Sequence, residues 1–252
     1  MTTDLEQVRR KYRRVAGIYD LVSARPTEAL RRAAVERLAL RPGDRVLDLG
    51  CGTGLSLGPL RDAVGETGCV YGVDASPDML ARARNRVVVT GWKNAQLILA
   101  DAETFEVPEP VDGLLCFFTH DILLSEIALP RAMKFLAPGA RLAAAGVMLA
   151  NGWRGWLINP VTVAYSFPAV TKRDVARSFR PFAVLDPLVS DLRVEEQLLG
   201  SHYLAWGMRV GETSRDGVRF RHPLVRPDEV QKIPILRTTA PRPPGPGLRS
   251  CT

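Results

Sequence analysis

Cysteine and histidine are scarce in this chain, at four and three in 252 residues. Cys51, Cys69, Cys116 and Cys251 form no Cys-x-x-Cys pair, and no histidine stands at ligand spacing from them. A zinc site and a disulfide framework are therefore not expected, and a reducing cytoplasm fits best. No Asp/Glu/His cluster at metal spacing follows the later apolar runs, so metal-assisted chemistry has no support. No stretch reaches about 18 uninterrupted apolar residues. The opening "MTTDLEQVRRKYRR" is charged where a signal peptide needs an apolar core, so a cytoplasmic protein with no transmembrane segment is expected. Acidic residues are in the minority: 27 against 34 Lys and Arg, a net charge of +7. The excess lies near the ends, at Arg9, Arg10, Lys11, Arg13 and Arg14 and again beyond Arg209. Such clusters attract anionic substrates, nucleic acid or acidic lipid headgroups, or simply form a solvated face; peripheral contact with a membrane stays open.

With 46% hydrophobic residues, the chain can bury one substantial core. Apolar runs at 45–50, 69–74, 95–101, 111–118 and 141–149 alternate with helical patterns near 55–64, 76–89 and 123–136. That alternation predicts an α/β fold, a Rossmann-like, seven-stranded, mostly parallel sheet with helices on both faces. Ser76 and Pro77 form a helix start, and "APGA" at 137–140 is expected to close a helix before the fifth strand. The segment 192–210 reads as two strands around Gly200 and Ser201, an antiparallel C-terminal hairpin closing the sheet. Two helices near 4–16 and 26–40 stand outside the alternation and are expected over the sheet's edge or top. The domain division is then 1–40 as N-terminal helices forming a lid, 41–210 as the main domain and 211–252 as a Pro/Arg-rich disordered tail. Within the main domain, about 150–170 is expected to be a substrate-covering insertion, with Trp153 and Trp156 over the crevice.

The stretch "RVLDLGCGTG" at 45–54 places Asp48 inside a buried strand and three glycines after it. In a doubly wound sheet the ligand sits at the carboxyl ends of the strands, where the first strand's loop is central. Gly50, Gly52 and Gly54 let that loop turn tightly and approach a ligand, and the next helix aims its N-terminus there. The dinucleotide fingerprint fails, because its third glycine falls on Leu55. A carboxylate at Asp48 would repel a pyrophosphate but attract an ammonium. Asp74 is placed to accept ribose hydroxyls, and Asp101 to accept from an adenine amino group. An amino acid joined to a nucleoside, S-adenosylmethionine, meets all of these demands.

Residues 45–54, "GVDASPDML" at 72–80, "LILADAETF" at 97–105 and "VDGLLCFFTHDIL" at 111–123 resemble, in order and spacing, the motifs of class I S-adenosylmethionine-dependent methyltransferases. The resemblance covers roughly residues 10–210. It implies that Asp48, Gly50, Gly52, Gly54 and the backbone of Cys51 to Thr53 line the methionine end. It also implies that Asp74 holds the ribose, that Ala75 and Met79 flank the adenine and that Asp101 with Ala102 meets its edge. Cys116, Phe117 and Phe118 would face the reacting end. "KYRRVAGIYD" at 11–20 resembles the N-terminal segment of the ubiquinone and menaquinone biosynthesis methyltransferases, in which a tyrosine closes over the cofactor. Tyr12 and Tyr19 are lid candidates on that basis.

Transfer from a sulfonium needs mainly alignment and exclusion of water, with a base only where the nucleophile must lose a proton. His120, directly after the fourth strand, is the leading base candidate, and His202 the second. "FFTHD" replaces the Asp/Asn-Pro-Pro-Tyr/Phe of amino-directed nucleic-acid methylases, which weighs against a nucleic-acid substrate. The expectation is methyl transfer to a small aromatic or lipid-like metabolite. The alternatives are a nucleic-acid or protein methyltransferase, or a non-catalytic protein that binds S-adenosylmethionine.

Overall fold

Strand β1 (Arg45–Leu49) is buried along nearly its whole length, as a central strand covered on both faces requires. It pairs in parallel with β2 (Cys69–Asp74) on one side and β4 (Val111–Phe117) on the other. Beyond these lie β3 (Ala95–Leu99), against β2, and β5 (Leu136–Val147), against β4, both parallel. The chain then reverses: β7 (His202–Arg209) runs antiparallel to β5, and β6 (Val189–Gln197) runs antiparallel to β7. The order β3-β2-β1-β4-β5-β7-β6 is the seven-stranded sheet with a closing hairpin that the sequence predicts. The order reverses between β1 and β4, so their carboxyl ends form the switch point where a ligand is received. This computed structural model describes residues 27–166 and 179–210. The helix predicted near 4–16, the lid candidates Tyr12 and Tyr19, and the tail 211–252 lie outside the described residues.

Alternation along the strands divides the core into two layers. Val46, Val70, Leu115 and Ala143 turn to one face, against Leu30, Ala34 and Val35 of α1 (Glu28–Arg37), Leu57, Leu60 and Val64 of α2 (Leu57–Val64) and Ala83 of α3 (Pro77–Thr90). Leu47, Leu49, Val73, Leu114 and Cys116 turn to the other, against Leu123 of α4 (His120–Leu123), Leu129 and Ala132 of α5 (Ala128–Lys134), and Phe182 and Leu185 of a short 3-10 turn. Helix α1 therefore packs on a sheet face. That corrects the expected place over the edge or top, because its apolar stripe is wide enough to seal strands β4, β5 and β7.

Helix α3 forms as predicted: Ser76 Oγ accepts the Met79 N–H at 3.4 Å, Pro77 opens the first turn, and left-handed Gly91 closes the helix. The single helix predicted over 123–136 is instead α4 and α5. Ser125 Oγ accepts the N–H groups of Ile127 at 3.2 Å and Ala128 at 3.0 Å, and it donates to Glu103 at 2.7 Å, which starts a fresh helix. "APGA" does not close a helix before the strand; it lies inside β5, where the pairing shifts between Val111 and Gly113 to accommodate Pro138 and Gly139.

Tyr203 of β7 is fully buried against Phe182 and Gly146, and its hydroxyl finds no hydrogen-bond partner among the described residues. Such a group costs about 1–3 kcal/mol. Tyr203→Phe is expected to raise the calorimetric melting midpoint by about 2–4 °C; a lower midpoint would show that the hydroxyl is satisfied.

Candidate active site

The loop after β1 is pinned to its neighbour. The Val73 carbonyl accepts from the N–H groups of both Gly50 (2.8 Å) and Cys51 (3.0 Å). Gly50 and Gly54 have φ of 78° and 81°. A Cβ at Gly50 would collide with the Thr119 side chain, and one at Gly54 would stand 2.7 Å from Leu57. Gly52 differs: nothing lies within 4 Å of where its Cβ would be, so its backbone faces open space. Cys51 and Thr53 are buried beside it.

Asp48 shares a sheet face with Val46 and so points into the layer held by α1. Its Oδ2 is buried with no hydrogen-bond partner among the described residues. Burial pushes its pKa up to about 7, the Arg31 charge draws it back, and the Asp74 charge adds to the rise. Arg31, buried on α1, donates to Thr27 Oγ1 at 2.9 Å and lies over the Phe117 ring, 4.8 Å from its centroid. No sequence motif singles it out. The signal is nevertheless present, because Arg31 interrupts the inward stripe of Leu30, Ala34, Val35 and Leu38, where a cation needs a buried partner.

At the end of β2, Asp74 Oδ2 accepts the Gly52 N–H and Oδ1 the Ser76 N–H, each at 2.8 Å. Burial raises its pKa, and these two bonds oppose the rise. The carboxylate thus ties the glycine loop to the start of α3, while each oxygen keeps a further lone pair. Ala75 is half-buried and Met79 buried in the first turn of α3. Asp101 lies two residues past β3, which stops at Leu99 rather than reaching it. Its Oδ1 accepts the Glu103 N–H at 2.7 Å, and Ala102 packs against the core beside it.

The carboxyl end of β4 is aromatic. Phe117 and Phe118 stand 5.0 Å apart, and the Phe118 ring is 5.7 Å from that of His202. Phe118 is left-handed at φ 58°, and its N–H donates to Ala145 at 2.7 Å. Burial lowers the His202 pKa, favouring the neutral imidazole, and its Nδ1 is 2.9 Å from Ser201 Oγ. His120 is half-buried at the start of α4. Cys116 is a protonated thiol rather than a nucleophile, pushed up to about 12 by burial and then by Asp48. No group of three metal-ligating side chains occurs among the described residues.

Trp153 and Trp156 lie exposed on the segment that follows β5. Helix α6 (Gly152–Ser166) leaves them 74% and 81% exposed, because its inward positions belong to Gly155, Asn159 and Thr162. Composition announces an aromatic segment but not which face it presents. Phe167 and the Tyr165 side chain, in the same segment, lie outside the described residues.

A family model described as a methyltransferase domain matches residues 46–139. The chain is 29% identical over 196 residues to aklanonic acid methyltransferase DauC of Streptomyces sp. (strain C5), covering 77% of this chain and 88% of that protein. It is 33% identical over 144 residues to the ubiquinone/menaquinone biosynthesis C-methyltransferase UbiE of Ectopseudomonas mendocina (strain ymp), covering 54% of this chain and 56% of that one. The fold is shared with N-methyltransferase NodS from Bradyrhizobium japonicum WM9 in complex with S-adenosyl-l-homocysteine, at a TM-score of 0.53 and 18% identity over 73% of this chain and 88% of that one. With the motifs of 45–123 seated at the carboxyl ends of β1 to β4, the methyltransferase-domain match and these relatives support reading the chain as a class I S-adenosylmethionine-dependent methyltransferase.

Proposed function

We propose that this enzyme methylates a small, largely apolar acceptor, aromatic or lipid-like. The observation that carries the proposal is the wall of Phe117, Phe118 and neutral His202 at the mouth of the crevice, which offers stacking surface and few polar anchors. Support comes also from relatives named for aklanonic acid and for ubiquinone/menaquinone biosynthesis.

The residues present fit the cofactor. When bound, S-adenosylmethionine supplies an electrophilic methyl group on a sulfonium. Asp48, with a buried oxygen left unpartnered, would take the ammonium of the methionine end, and Arg31 beside it the carboxylate. The open backbone at Gly52, with Gly50, Cys51, Thr53 and Gly54, would follow that end. Asp74 would accept the ribose hydroxyls on its remaining lone pairs. Ala75 and Met79 would flank the adenine, and Asp101 with Ala102 would meet its edge. Phe117 and Phe118 would exclude water around the reacting carbon and align the acceptor. His202 is held unprotonated beside Phe118 and would take a proton from an acidic nucleophile, with His120 the alternative base. Transfer of isotopic methyl label to quinones, phenols and prenylated aromatics, run beside RNA and protein, tests the acceptor class; label found only in a macromolecule would overturn it.

Asp48 generates a pH dependence. Its folded pKa of about 7 stands above the ordinary 3.8, so the ligand-free fold loses stability as pH rises from about 4 through 7. A bound ammonium favours the ionised form, so binding releases a proton in that window. Calorimetry should show affinity for S-adenosylhomocysteine rising from pH 5.5 to 8, and Asp48→Asn should flatten the profile and weaken binding by about tenfold or more. A flat profile for the parent would remove Asp48 from the ammonium site.

His202 generates a second. His202→Gln is expected to lower kcat by about 10²-fold on a phenolic acceptor and abolish the acid limb of the pH–rate profile, with cofactor affinity unchanged. If His120→Ala alone does this, the base is His120.

A further inference from the structure

Ser201 is buried where the turn between β6 and β7 meets the sheet, and each of its polar atoms is engaged. Its carbonyl accepts the Met148 N–H at 2.8 Å, which ties the turn to the end of β5. Its N–H and its hydroxyl both donate to the Leu198 carbonyl, at 3.2 Å and 2.8 Å. Between them, Leu199 and Gly200 have φ of 61° and 90°, the positive pair of a type I′ turn. Asparagine or glycine ordinarily fills the first of these positions, and Leu198 before it stands at 48° as well. Leucine is strained in that region, so the turn is held by its hydrogen bonds rather than by the preference of its residues.

The Leu198 carbonyl decides where the one hydroxyl hydrogen of Ser201 goes. A carbonyl oxygen can only accept, and at 2.8 Å it takes that hydrogen. The Ser201 oxygen then turns a lone pair toward His202 Nδ1, 2.9 Å away, so Nδ1 carries the hydrogen of the neutral imidazole. Nε2 is left with its lone pair. It has no hydrogen-bond partner among the described residues and, in a half-buried ring, is not itself a fully buried atom. The ring stands at the ligand-receiving end of the sheet: His202 pairs with Val147 at the carboxyl end of β5, and its centroid is 5.7 Å from that of Phe118. Burial alone acts on its pKa, and no carboxylate among the described residues contributes. A hydroxyl therefore takes the orienting place that an aspartate holds in a Ser-His-Asp arrangement.

We propose that Ser201 is a positioning residue that fixes His202 as the Nδ1–H tautomer, leaving Nε2 to take a proton from the methyl acceptor. The proposal rests on His202 being the base, as given above, and it narrows the acceptor to one that brings an acidic O–H, such as a phenol or an enol. The acceptor oxygen gives its proton to Nε2 and bonds to the methyl carbon, whose former bonding pair stays on the departing sulfur. The positive charge of the sulfonium thus ends on the imidazolium. Nδ1–H is common to this tautomer and to the imidazolium, so proton uptake at Nε2 leaves the bonds to Ser201 and Leu198 in place. Neutral imidazole in water favours the other tautomer, whose Nε2 already holds a hydrogen and cannot act as the base.

The ring nitrogens of His202, read by two-bond proton–nitrogen correlation in the isotopically labelled full chain without ligands, test the proposal. The chain has three histidines, and the His202 signals are those lost in His202→Gln. At pH 8, where the ring is neutral, the expected pattern is a protonated Nδ1 and an unprotonated Nε2; the reverse would overturn the proposal. Ser201→Ala should shift the ring toward the Nε2–H form and lower kcat on a phenolic acceptor by about tenfold, with the acceptor KM and the affinity for S-adenosylhomocysteine within about twofold of the parent. Ser201→Thr, which keeps a hydroxyl, should retain the parent pattern. An unchanged Nδ1–H signal in Ser201→Ala with the parent's circular-dichroism spectrum would also overturn the proposal; if that variant does not fold, the parent's own pattern decides. The spectra need neither cofactor nor turnover, so the reverse pattern leaves the acceptor class standing. An unchanged kcat in His202→Gln beside the expected spectrum would instead remove His202 as the base.

Discussion

A carboxylate held out of water at the centre of the sheet is the constraint around which the site is arranged. Burial raises the pKa of Asp48 from 3.8 to about 7 even with the Arg31 charge drawing it back. The fold tolerates this only because Arg31 lies in the same layer and draws the carboxylate back toward ionisation. The Arg31 guanidinium in turn needs support within the apolar layer, which Thr27 Oγ1 and the Phe117 face provide. Helix α1 thus has two duties: it seals one face of the sheet, and it places a cation beside the buried carboxylate.

Asp74 links that charge centre to the backbone. By joining Gly52 to Ser76 it couples the loop after β1 to the start of α3, so the two segments are positioned together. The aromatic end of β4 then divides the crevice. On one side lie buried charges that suit a cofactor; on the other lie Phe118 and a histidine kept neutral by burial, which suit a less polar molecule.

Much of this was legible in sequence, for physical reasons that differ from element to element. Central strands such as β1 and β2 are covered on both faces and so appear as continuous apolar runs, and Ser76–Pro77 is a start signal that α3 obeys. The glycines and strand-end carboxylates were legible because few other residue types can occupy those turns. Arg31 was not, since a cation on a short helix ordinarily marks the solvent side. Ser125 divides a helix through bonds to its own neighbouring backbone, which hydropathy does not register. The facing of α6 is not legible, because it is set by Gly155 and Asn159, small and polar residues that a search for apolar stripes passes over.

The position of β7 between β5 and β6 bears on how the polypeptide is made. During synthesis, β5 is complete at Val147, yet the partner that covers its free edge, His202–Arg209, emerges only after the intervening helix and β6. Until then the nascent chain exposes an unpaired, alanine-rich strand edge beside the ribosome, open to pairing with other chains. The last described strand to be translated is the one that covers this edge, so polypeptides released before residue 209 would retain the glycine loop and still carry an adhesive edge.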